Sequence, residues 1–404
     1  MAIFSPADAR RAVEAGLDDS IAFLQELVRV QSRLGNEEPA QRLVEERMKE
    51  LGFDVRSVQP DPERLAMRAD SGIPLISYEG RRSLVGTLSG GAGRSLLLNG
   101  HVDVVSTEPT ERWTKDPWGG EITNGRLYGR GACDMKGGVA AMLLAVEAAL
   151  SAGQIGSVLI YQSVIEEECG GNGALAACLE GPAADGVVIA EPTNGGLDLV
   201  APGVIWARIT LEGRARHASH ADEGSNPIEA AFAVVRALHE LEASLNADPE
   251  PEFAGIENPY LLNVGALHAG DWPSMTPGKA ELDVRLGFPI RTEPSEAQAL
   301  LAQAVEVVDG ARVQFRGFRA RGYSFSEETE LVRLLGDCHE AVHGTRPRPE
   351  AARATTDLRF FQPGQAVCYG PTGDGLHGID EWVDLDSIAH VATVLALLIR
   401  GWSN

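Results

Sequence analysis

The spacing of hydrophobic and polar positions divides the chain into segments with helical periodicity and segments typical of strands. Leu17, Leu24 and Val28 recur at helical spacing, and a second helix follows around Leu43 and Met48. Short apolar runs then predict strands in SLVGTL, SLLLNGHVDVV, SVLIYQSVIEEE and GVVIAEPT. Between them, GGVAAMLLAVEAAL and GALAACLEG are helical in pattern. Strands that alternate with helices predict an α/β domain with a largely parallel sheet.

The pattern changes near residue 200, where GVIWARITLEGRARHASH alternates apolar and polar residues. A long helical segment, two strand-like segments and another helical segment follow, which predicts a ferredoxin-like α+β unit with helices on one face of an open sheet. From about Val313 the features of the first domain return, with a helix, the strand AVCYG and a closing helix. We therefore expect a discontinuous larger domain, 1–199 and 312–404, interrupted by an inserted domain, 200–311.

Composition and charge exclude several classes of protein. The 404 residues carry a formal net charge of -23 without a Lys/Arg cluster, which excludes a nucleic-acid partner. The longest apolar helical stretch, 139–150, is shorter than the roughly 20 residues of a bilayer span, and the N-terminal segment lacks the pattern of a signal peptide. Five cysteines without CxxC spacing predict reduced thiols. We expect a cytoplasmic protein that does not associate with membranes.

Acidic and histidine side chains stand where strands are predicted to end. His101 and Asp103 are two residues apart, so they project together from the end of LLLNGHVDVV. That edge is where open α/β sheets bind ligands. Asp134 lies in the glycine-rich turn GRGACDMKGG. Taken alone, His101 and Asp103 are better explained as polar surface residues, and Asp134 as a helix N-cap, than as parts of a metal site.

The other candidates lie in EEECGG, IAEPT and GLHG. Glu166, Glu167 and Glu168 repel one another unless they are solvated or cations neutralise them. Glu191 ends another apolar strand, and His377 lies in a glycine-rich loop. Together these residues form a mixed set of histidine and carboxylate ligands at one sheet edge, which suits zinc or a neighbouring transition metal and not calcium.

The motifs GHVDVV, YGRGACDMKGG, EEECGG, IAEPT and GLHG resemble, in the same order, those of the zinc aminoacylase and carboxypeptidase G family. That family includes acetylornithine deacetylase and succinyl-diaminopimelate desuccinylase, and the resemblance spans nearly the whole chain. It implies a zinc-peptidase catalytic domain with a mostly parallel sheet. It further implies that the inserted domain serves as a lid and joins two subunits into a homodimer.

The resemblance also implies two divalent metal ions per subunit, with zinc expected and cobalt or manganese as alternatives. The two sites would share one aspartate: His101, Asp134 and Glu191 for one ion, and Asp134, Glu168 and His377 for the other. Family members often have a cis peptide after the bridging acid, here Asp134–Met135.

Further roles follow from the same resemblance. Glu167 would be the general base that activates a metal-bound water, and Asp103 would orient His101. The family pattern of an acid pair followed by x-Gly assigns Glu167 as base and Glu168 as ligand. A register one residue earlier, with Glu166 as base, stays open.

The inserted domain supplies the substrate contacts that the resemblance implies. His217 matches a histidine that in relatives reaches the partner subunit's active site. Arg285 matches the arginine that pairs with the substrate carboxylate, a role that suits a bidentate guanidinium. Asn263 is a polar candidate on a neighbouring strand. Closure of the lid would bring Arg285 and His217 onto the substrate.

At two positions the chain differs from particular branches of the family, and these differences narrow the range of reactions expected. Cys169-Gly170-Gly171 stands where the carbamoylase branch usually has Arg-Phe, and Glu191 where the aminopeptidase and dipeptidase branch usually has Asp. Both favour a metal-dependent amidohydrolase that cleaves small N-acyl amino acids at a non-peptide or C-terminal amide bond. A dipeptidase, a carbamoyl-amino-acid amidohydrolase of the same family and a non-catalytic ligand-binding relative are the alternatives.

Overall fold

The computed structural model describes residues 4–91 and 93–402, which form nine α-helices and nineteen strands. The helices are α1 (Pro6–Arg29), α2 (Glu38–Glu50), α3 (Pro62–Ala66), α4 (Gly137–Ser151), α5 (Asn172–Glu180), α6 (Pro227–Leu245), α7 (Pro294–Val305), α8 (Glu330–His343) and α9 (Leu385–Gly401). The strands are β1 (Asp54–Val58), β2 (Ser83–Leu88), β3 (Ser95–His101), β4 (Glu121–Thr123), β5 (Arg126–Tyr128), β6 (Val158–Val164), β7 (Gly186–Ile189), β8 (Leu197–Ala201), β9 (Gly203–Glu212), β10 (Arg216–His217), β11 (Leu262–Ala269), β12 (Met275–Thr276), β13 (Lys279–Phe288), β14 (Arg312–Ala320), β15 (Tyr323–Ser324), β16 (Pro349–Ala351), β17 (Ala366–Cys368), β18 (Gly373–Asp374) and β19 (Trp382–Asp384).

The large sheet has the order β1-β2-β6-β3-β7-β17-β8-β15, with β16 beside β8. Its central strands β6, β3, β7 and β17 are parallel, and its flanking pairs are mainly antiparallel. Helix α4 packs between α1 and α9 and is apolar nearly all round, as a fully buried helix must be. Among the described residues, no helix combines the length and apolar content that a bilayer crossing requires. The expected α/β fold class is confirmed.

The small sheet has the order β11-β13-β9-β14 and is antiparallel throughout. Helices α6 and α7 cover one face, where alternate residues such as Ile205, Ile209 and Leu282 are buried. The intervening residues, among them Arg208 and Arg285, point to the opposite face because side chains alternate along a strand. The chain order β9-α6-β11-β13-α7-β14 is that of the ferredoxin-like unit expected from the sequence.

The small sheet extends beyond the domain boundary expected at 311/312. Its fourth strand is β14, in which Val313 pairs with Ile209 and Arg319 with Ile205. A bulge between these pairs, with Gly317 at φ +61°, interrupts the apolar–polar alternation. The interruption hides the strand in the sequence, so the inserted unit needs its second boundary after Ala320 if it is to keep its own sheet.

Candidate metal centre

Three neighbouring strands of the large sheet deliver acidic and histidine side chains to one edge. Strand β3 ends at His101, β6 leads into a turn that carries Glu167 and Glu168, and β7 ends shortly before Glu191. Because these strands are adjacent and parallel, their carboxyl ends lie at the same edge of the sheet. The fold thus brings together the side chains of His101, Glu167, Glu168 and Glu191, which are far apart in the sequence.

Two histidines face the carboxylate of Asp134 through different oxygens. His101 Nε2 lies 3.2 Å from Asp134 Oδ1, and His377 Nε2 lies 3.3 Å from Asp134 Oδ2. His101 Nε2 is also 3.9 Å from Glu191 Oε2, and His377 Nε2 is 2.9 Å from Glu168 Oε2. The five side chains thus gather around Asp134, with His101 beside Glu191 and His377 beside Glu168.

This donor set fits divalent cations. Ligand atoms of His101, Asp134 and Glu168 lie within 4.8 Å of one another. In the described part of the chain, no lysine or arginine lies within ion-pair distance of Asp134, Glu168 or Glu191. Among the described side chains, only the two imidazoles lie close enough to balance these carboxylates, and mixed imidazole and carboxylate donors suit zinc and its neighbours.

The pKa values of the cluster reflect this crowding in the metal-free chain. Burial raises the pKa of Glu191 well above its ordinary value. Burial lowers the pKa of His377, but its hydrogen bonds with Asp134 and Glu168 outweigh that effect and raise it to about 11. Burial raises the pKa of Asp134, yet the hydrogen bonds with the two imidazoles bring it far below its usual range. Metal binding would displace the protons held here, since metal ligands must be deprotonated.

The three consecutive glutamates have different surroundings. Glu166, at φ +66°, accepts hydrogen bonds from Tyr78 Oη at 2.8 Å and Arg81 Nη1 at 3.3 Å. Glu168 belongs to the cluster described above. Glu167 is buried and lines the cavity, and within residues 4–91 and 93–402 its Oε1 has no hydrogen-bond partner. This geometry favours Glu167 over Glu166 as the free carboxylate of the site.

Asp103 contacts His101 through its main chain and not through its carboxylate. His101 Nδ1 lies 2.9 Å from the carbonyl oxygen of Asp103 but 3.8 Å from Oδ1. The carboxylate instead accepts hydrogen bonds from the backbone N–H groups of Glu167, at 3.2 Å, and Glu168, at 3.1 Å. Asp103 thus holds both the imidazole and the two glutamates in place.

A buried glutamate that the sequence did not single out holds the turn around Asp134. Glu381 Oε1 accepts hydrogen bonds from the backbone N–H groups of Cys133, at 2.9 Å, and Asp134, at 3.0 Å. Its Oε2 accepts from the N–H of Gly131 at 2.9 Å. The Asp134–Met135 peptide bond is cis, as the resemblance implies.

The same glutamate ties this turn to the loop of His377. Arg130 Nη1 donates to Glu381 Oε2 at 2.6 Å, and Arg130 Nη2 donates to the carbonyl oxygen of Gly378 at 2.7 Å. Both side chains are almost fully buried. The only sequence signal for Glu381 is its place four residues after His377, where it looks like a surface acid.

A cavity of about 480 Å³ separates the cluster from the polar face of the small sheet. Its walls are formed on one side by Asp134, Glu167, Glu168, Glu191 and His377, and on the other by Trp206, Asn263, Arg285, Arg316 and Phe318. Arg285 is paired in register with Asn263 and donates to the carbonyl oxygens of Leu261, at 3.5 Å, and Arg353, at 3.2 Å. Burial lowers the pKa of Arg285, and no acidic side chain of the described residues forms an ion pair with it.

His217 lies outside this cavity. It is exposed at the end of β10, and its Nδ1 lies 2.8 Å from Ser219 Oγ. It does not line the cavity with the other expected residues. A single chain therefore does not bring His217 to the metal cluster.

Comparisons with known proteins agree with this geometry. The model of Peptidase family M20/M25/M40 matches residues 97–401, a range that contains every residue of the cluster. The chain belongs to this family. It is accordingly a metallohydrolase that hydrolyses amide bonds, and members of the M20 family use divalent metals. The resemblance inferred from the five motifs is confirmed.

Individual M20 relatives cover almost the whole chain. A succinyl-diaminopimelate desuccinylase of Thioalkalivibrio sulfidiphilus is 28% identical over 397 residues, which are 93% of this chain and 98% of the relative. The enzyme of the same name from Cereibacter sphaeroides is 29% identical over 95% of this chain and 99% of its own. Among solved structures, the di-peptidase Dug1p of Saccharomyces cerevisiae superimposes with a TM-score of 0.81 over 99% of this chain and 98% of its own, at 13% identity. That likeness bears on the fold alone.

Proposed function

We propose that this M20 metallohydrolase removes the acyl group from small N-acyl amino acids. The observation that carries the proposal is the pairing, across one cavity, of the His and carboxylate cluster with Arg285. A guanidinium without an acidic partner can bind the α-carboxylate of an amino acid through two hydrogen bonds while the amide lies against the cluster. The names of the two desuccinylase relatives support removal of an acyl group.

We propose that two divalent ions occupy the cluster, with zinc expected and cobalt or manganese as alternatives. His101, Asp134 and Glu191 would hold one ion, and Asp134, Glu168 and His377 the other. The placement of a histidine at each oxygen of Asp134 supports a bridging role for this carboxylate. When bound, such ions lower the pKa of water and polarise a carbonyl group.

The chain's own residues would move the protons and orient the substrate. Glu167, whose buried Oε1 has no partner in the described part of the chain, would take a proton from the attacking water and deliver it to the leaving nitrogen. Asp103 holds the backbone of Glu167 through a hydrogen bond of 3.2 Å, so the base is fixed relative to His101. Arg285 and Asn263 would orient the substrate from the opposite wall.

We further propose a homodimer joined through the inserted domain, which would also close over the site as a lid. Strand β11 is an edge strand of the small sheet, and a free edge can pair with another chain. The exposed position of His217, away from its own cavity, supports a role in the partner subunit's site as a donor to the oxyanion. The five cysteines are free, which supports a reducing, cytoplasmic location.

Hydrolysis measured across matched substrates tests the proposed reaction. Protein loaded with zinc, cobalt or manganese is offered N-acetyl, N-succinyl and N-aroyl amino acids beside dipeptides and N-carbamoyl amino acids. We expect kcat/KM to be highest for an N-acyl amino acid, and metal analysis to give about two ions per chain. Faster hydrolysis of dipeptides or carbamoyl compounds, or no hydrolysis with metal bound, would contradict the proposal.

A further inference from the structure

The cavity wall formed by the small sheet carries more positive charge than its acidic residues neutralise. Asp283 and Arg285 lie two residues apart on β13 and share the polar face, with Arg208 opposite Asp283 on β9. Asp283 accepts two hydrogen bonds from Arg208, one from Nε to Oδ1 at 2.8 Å and one from Nη2 to Oδ2 at 2.6 Å. This bidentate pair already satisfies the only carboxylate that the small sheet contributes to the cavity lining in the described part of the chain.

Arg316 on β14 therefore has no carboxylate of its own. Its Nη1 lies 4.0 Å from Asp283 Oδ1, at the limit of an ion pair, and its guanidinium donates no hydrogen bond to any residue that the structure describes. The side chain lines the cavity and is 32% exposed. Arg316 thus presents its N–H donors to the cavity without a protein acceptor.

Between the two arginines lies a further donor without an acceptor. Trp206 is the register partner of Arg285 across β9 and lines the same cavity. Its indole Nε1–H is buried and has no hydrogen-bond partner among the residues that the structure describes. Arg285, Trp206 and Arg316 form a strip across β13, β9 and β14 on the polar face of the small sheet, and the two arginines carry its positive charge.

The β14 bulge fixes Arg316 beside this strip. At the bulge, Gly317 exchanges backbone hydrogen bonds with Ile73 of the larger domain, at 2.7 and 2.9 Å. A Cβ at Gly317 would lie 2.6 Å from the Trp206 ring, so only glycine fits at its φ of +61°. On the other side, Phe318 packs edge-on against Trp206 with ring centroids 5.1 Å apart. Bulges of this kind re-aim a side chain, here that of Arg316.

The spacing suits a substrate with two anionic groups. Asp283 and Arg285 are two residues apart, or about 7 Å along the strand. Since Arg316 reaches to within an ion-pair distance of Asp283, its guanidinium lies on the order of one side-chain length from Arg285. The α-carboxylate of an N-acyl amino acid and a carboxylate at the end of a four-carbon acyl chain are separated by a similar span, roughly 7 Å.

We propose that Arg316 binds a second carboxylate of the substrate, so that the enzyme selects N-acyl amino acids that carry two carboxylates. This inference rests on the proposed deacylase function. Arg285 would bind the α-carboxylate, and Arg316 the carboxylate at the end of the acyl chain. The amide bond between the two groups would then face the His and carboxylate cluster on the opposite wall.

Two substrates that differ only in the second carboxylate test the assignment. The N-succinyl and N-butanoyl derivatives of one amino acid have acyl chains of equal length, and kcat/KM is measured for both. For the metal-loaded wild-type enzyme we expect the succinyl compound to be favoured by about tenfold or more, as for a charge-assisted hydrogen bond. Arg316→Met should bring this ratio close to one, and Arg316→Lys should retain part of it.

Arg312→Met is the matched control. Arg312 lies on the same strand, is exposed and pairs with Glu212 outside the cavity, so its removal should leave the ratio at the wild-type value. Thermal unfolding and metal content of each variant establish that it is folded and loaded, and Arg316→Lys serves if Arg316→Met does not fold.

The outcomes separate this inference from the proposed function. If no N-acyl amino acid is hydrolysed, the proposed function fails. If both acyl compounds are hydrolysed with equal kcat/KM, or if Arg316→Met keeps the wild-type ratio, the role of Arg316 is wrong while the deacylase function stands.

Discussion

The backbone N–H of Asp134 donates a hydrogen bond of 3.0 Å to Oε1 of Glu381. Asp134 is the residue shared by both halves of the cluster, and Glu381 closes the loop that carries His377. Through Arg130, the same carboxylate is linked to the carbonyl of Gly378. The turn and the loop are therefore held as one unit, although 247 positions separate the two bonded residues.

Replacing Glu381 should loosen both halves of the metal centre together. In Glu381→Gln the amide retains one oxygen, so two of the four donors lose their acceptor and the buried Arg130 loses its counter-charge. We expect a loss of about 3–5 kcal/mol in the free energy of unfolding, as for a broken buried ion pair, together with a reduced metal content. Asp386→Asn, at an exposed position five residues further along the chain, is the control. Wild-type metal content and stability in Glu381→Gln would contradict this prediction.

The assignment of the base among three glutamates is testable by comparing two variants. Glu167→Gln should lower kcat by roughly 10²–10⁴-fold, the usual contribution of a general base, with metal content retained. Glu166→Gln should mainly lower stability, because Glu166 is the acceptor for Arg81 and Tyr78. Steady-state kinetics, metal analysis and thermal unfolding distinguish the two. If Glu166→Gln shows the larger loss in kcat, the register one residue earlier is correct.

Mixing two inactive variants tests whether His217 acts on the partner subunit. Glu167→Gln and His217→Ala protein are each prepared, mixed under dissociating conditions and reassociated. In a mixed dimer one site keeps its own Glu167 and receives an intact His217 from the partner, so activity should rise to about a quarter of wild type. Activity that stays at the level of the separate variants would show that His217 does not act in trans. Light scattering gives the oligomeric state.

A histidine cluster outside the metal centre predicts a loss of stability at acidic pH. His339 stacks on His343 with ring centroids 4.2 Å apart, and its Nδ1 lies 2.9 Å from Tyr369 Oη. Burial, followed by the charges of His343 and His390, lowers the pKa of His339 to about 4. A lowered pKa favours the neutral ring in the fold, so its stabilisation is present above pH 6.5 and is lost as the pH falls through about 4.

The measurement is the melting temperature of metal-free protein between pH 8 and pH 4. In His339→Gln, which cannot titrate, the decrease below pH 6.5 should be smaller than in wild type by about 2 °C or more. His268→Gln, at an exposed position on the small sheet, is the control. Parallel pH curves for His339→Gln and wild type would contradict the prediction.

Sequence patterns predicted the parts of the site that stand at strand ends. Glu191 follows a short apolar strand, and His101 and Asp103 close another, so parallel pairing brings them together without further information. Glu381 could not be found this way, because a lone acid in a loop has no periodicity and its four hydrogen bonds depend on a turn that lies far away in sequence. Likewise, nothing in the sequence revealed that the carboxylate of Asp103 binds backbone N–H groups.

In the small sheet, too, the sequence pattern predicts only the regular strands. Regular alternation predicted β9, whereas β13 was expected only as a strand-like segment and Arg285 was singled out by the family resemblance. The bulge at Gly317 breaks the alternation of β14, so both the extent of the sheet and the direction of Arg316 depend on contacts with Ile73 and Trp206 that only the fold provides.

The cavity has one wall from the large sheet and its loops and another from the stretch between β9 and β14. If the cluster cleaves the bond and Arg285 and Arg316 bind the substrate, as proposed, these two tasks are encoded in separate parts of the gene. Exchanging the inserted stretch between relatives, or altering a few residues on its polar face, would then change the substrate specificity of the enzyme and leave its catalytic residues unchanged.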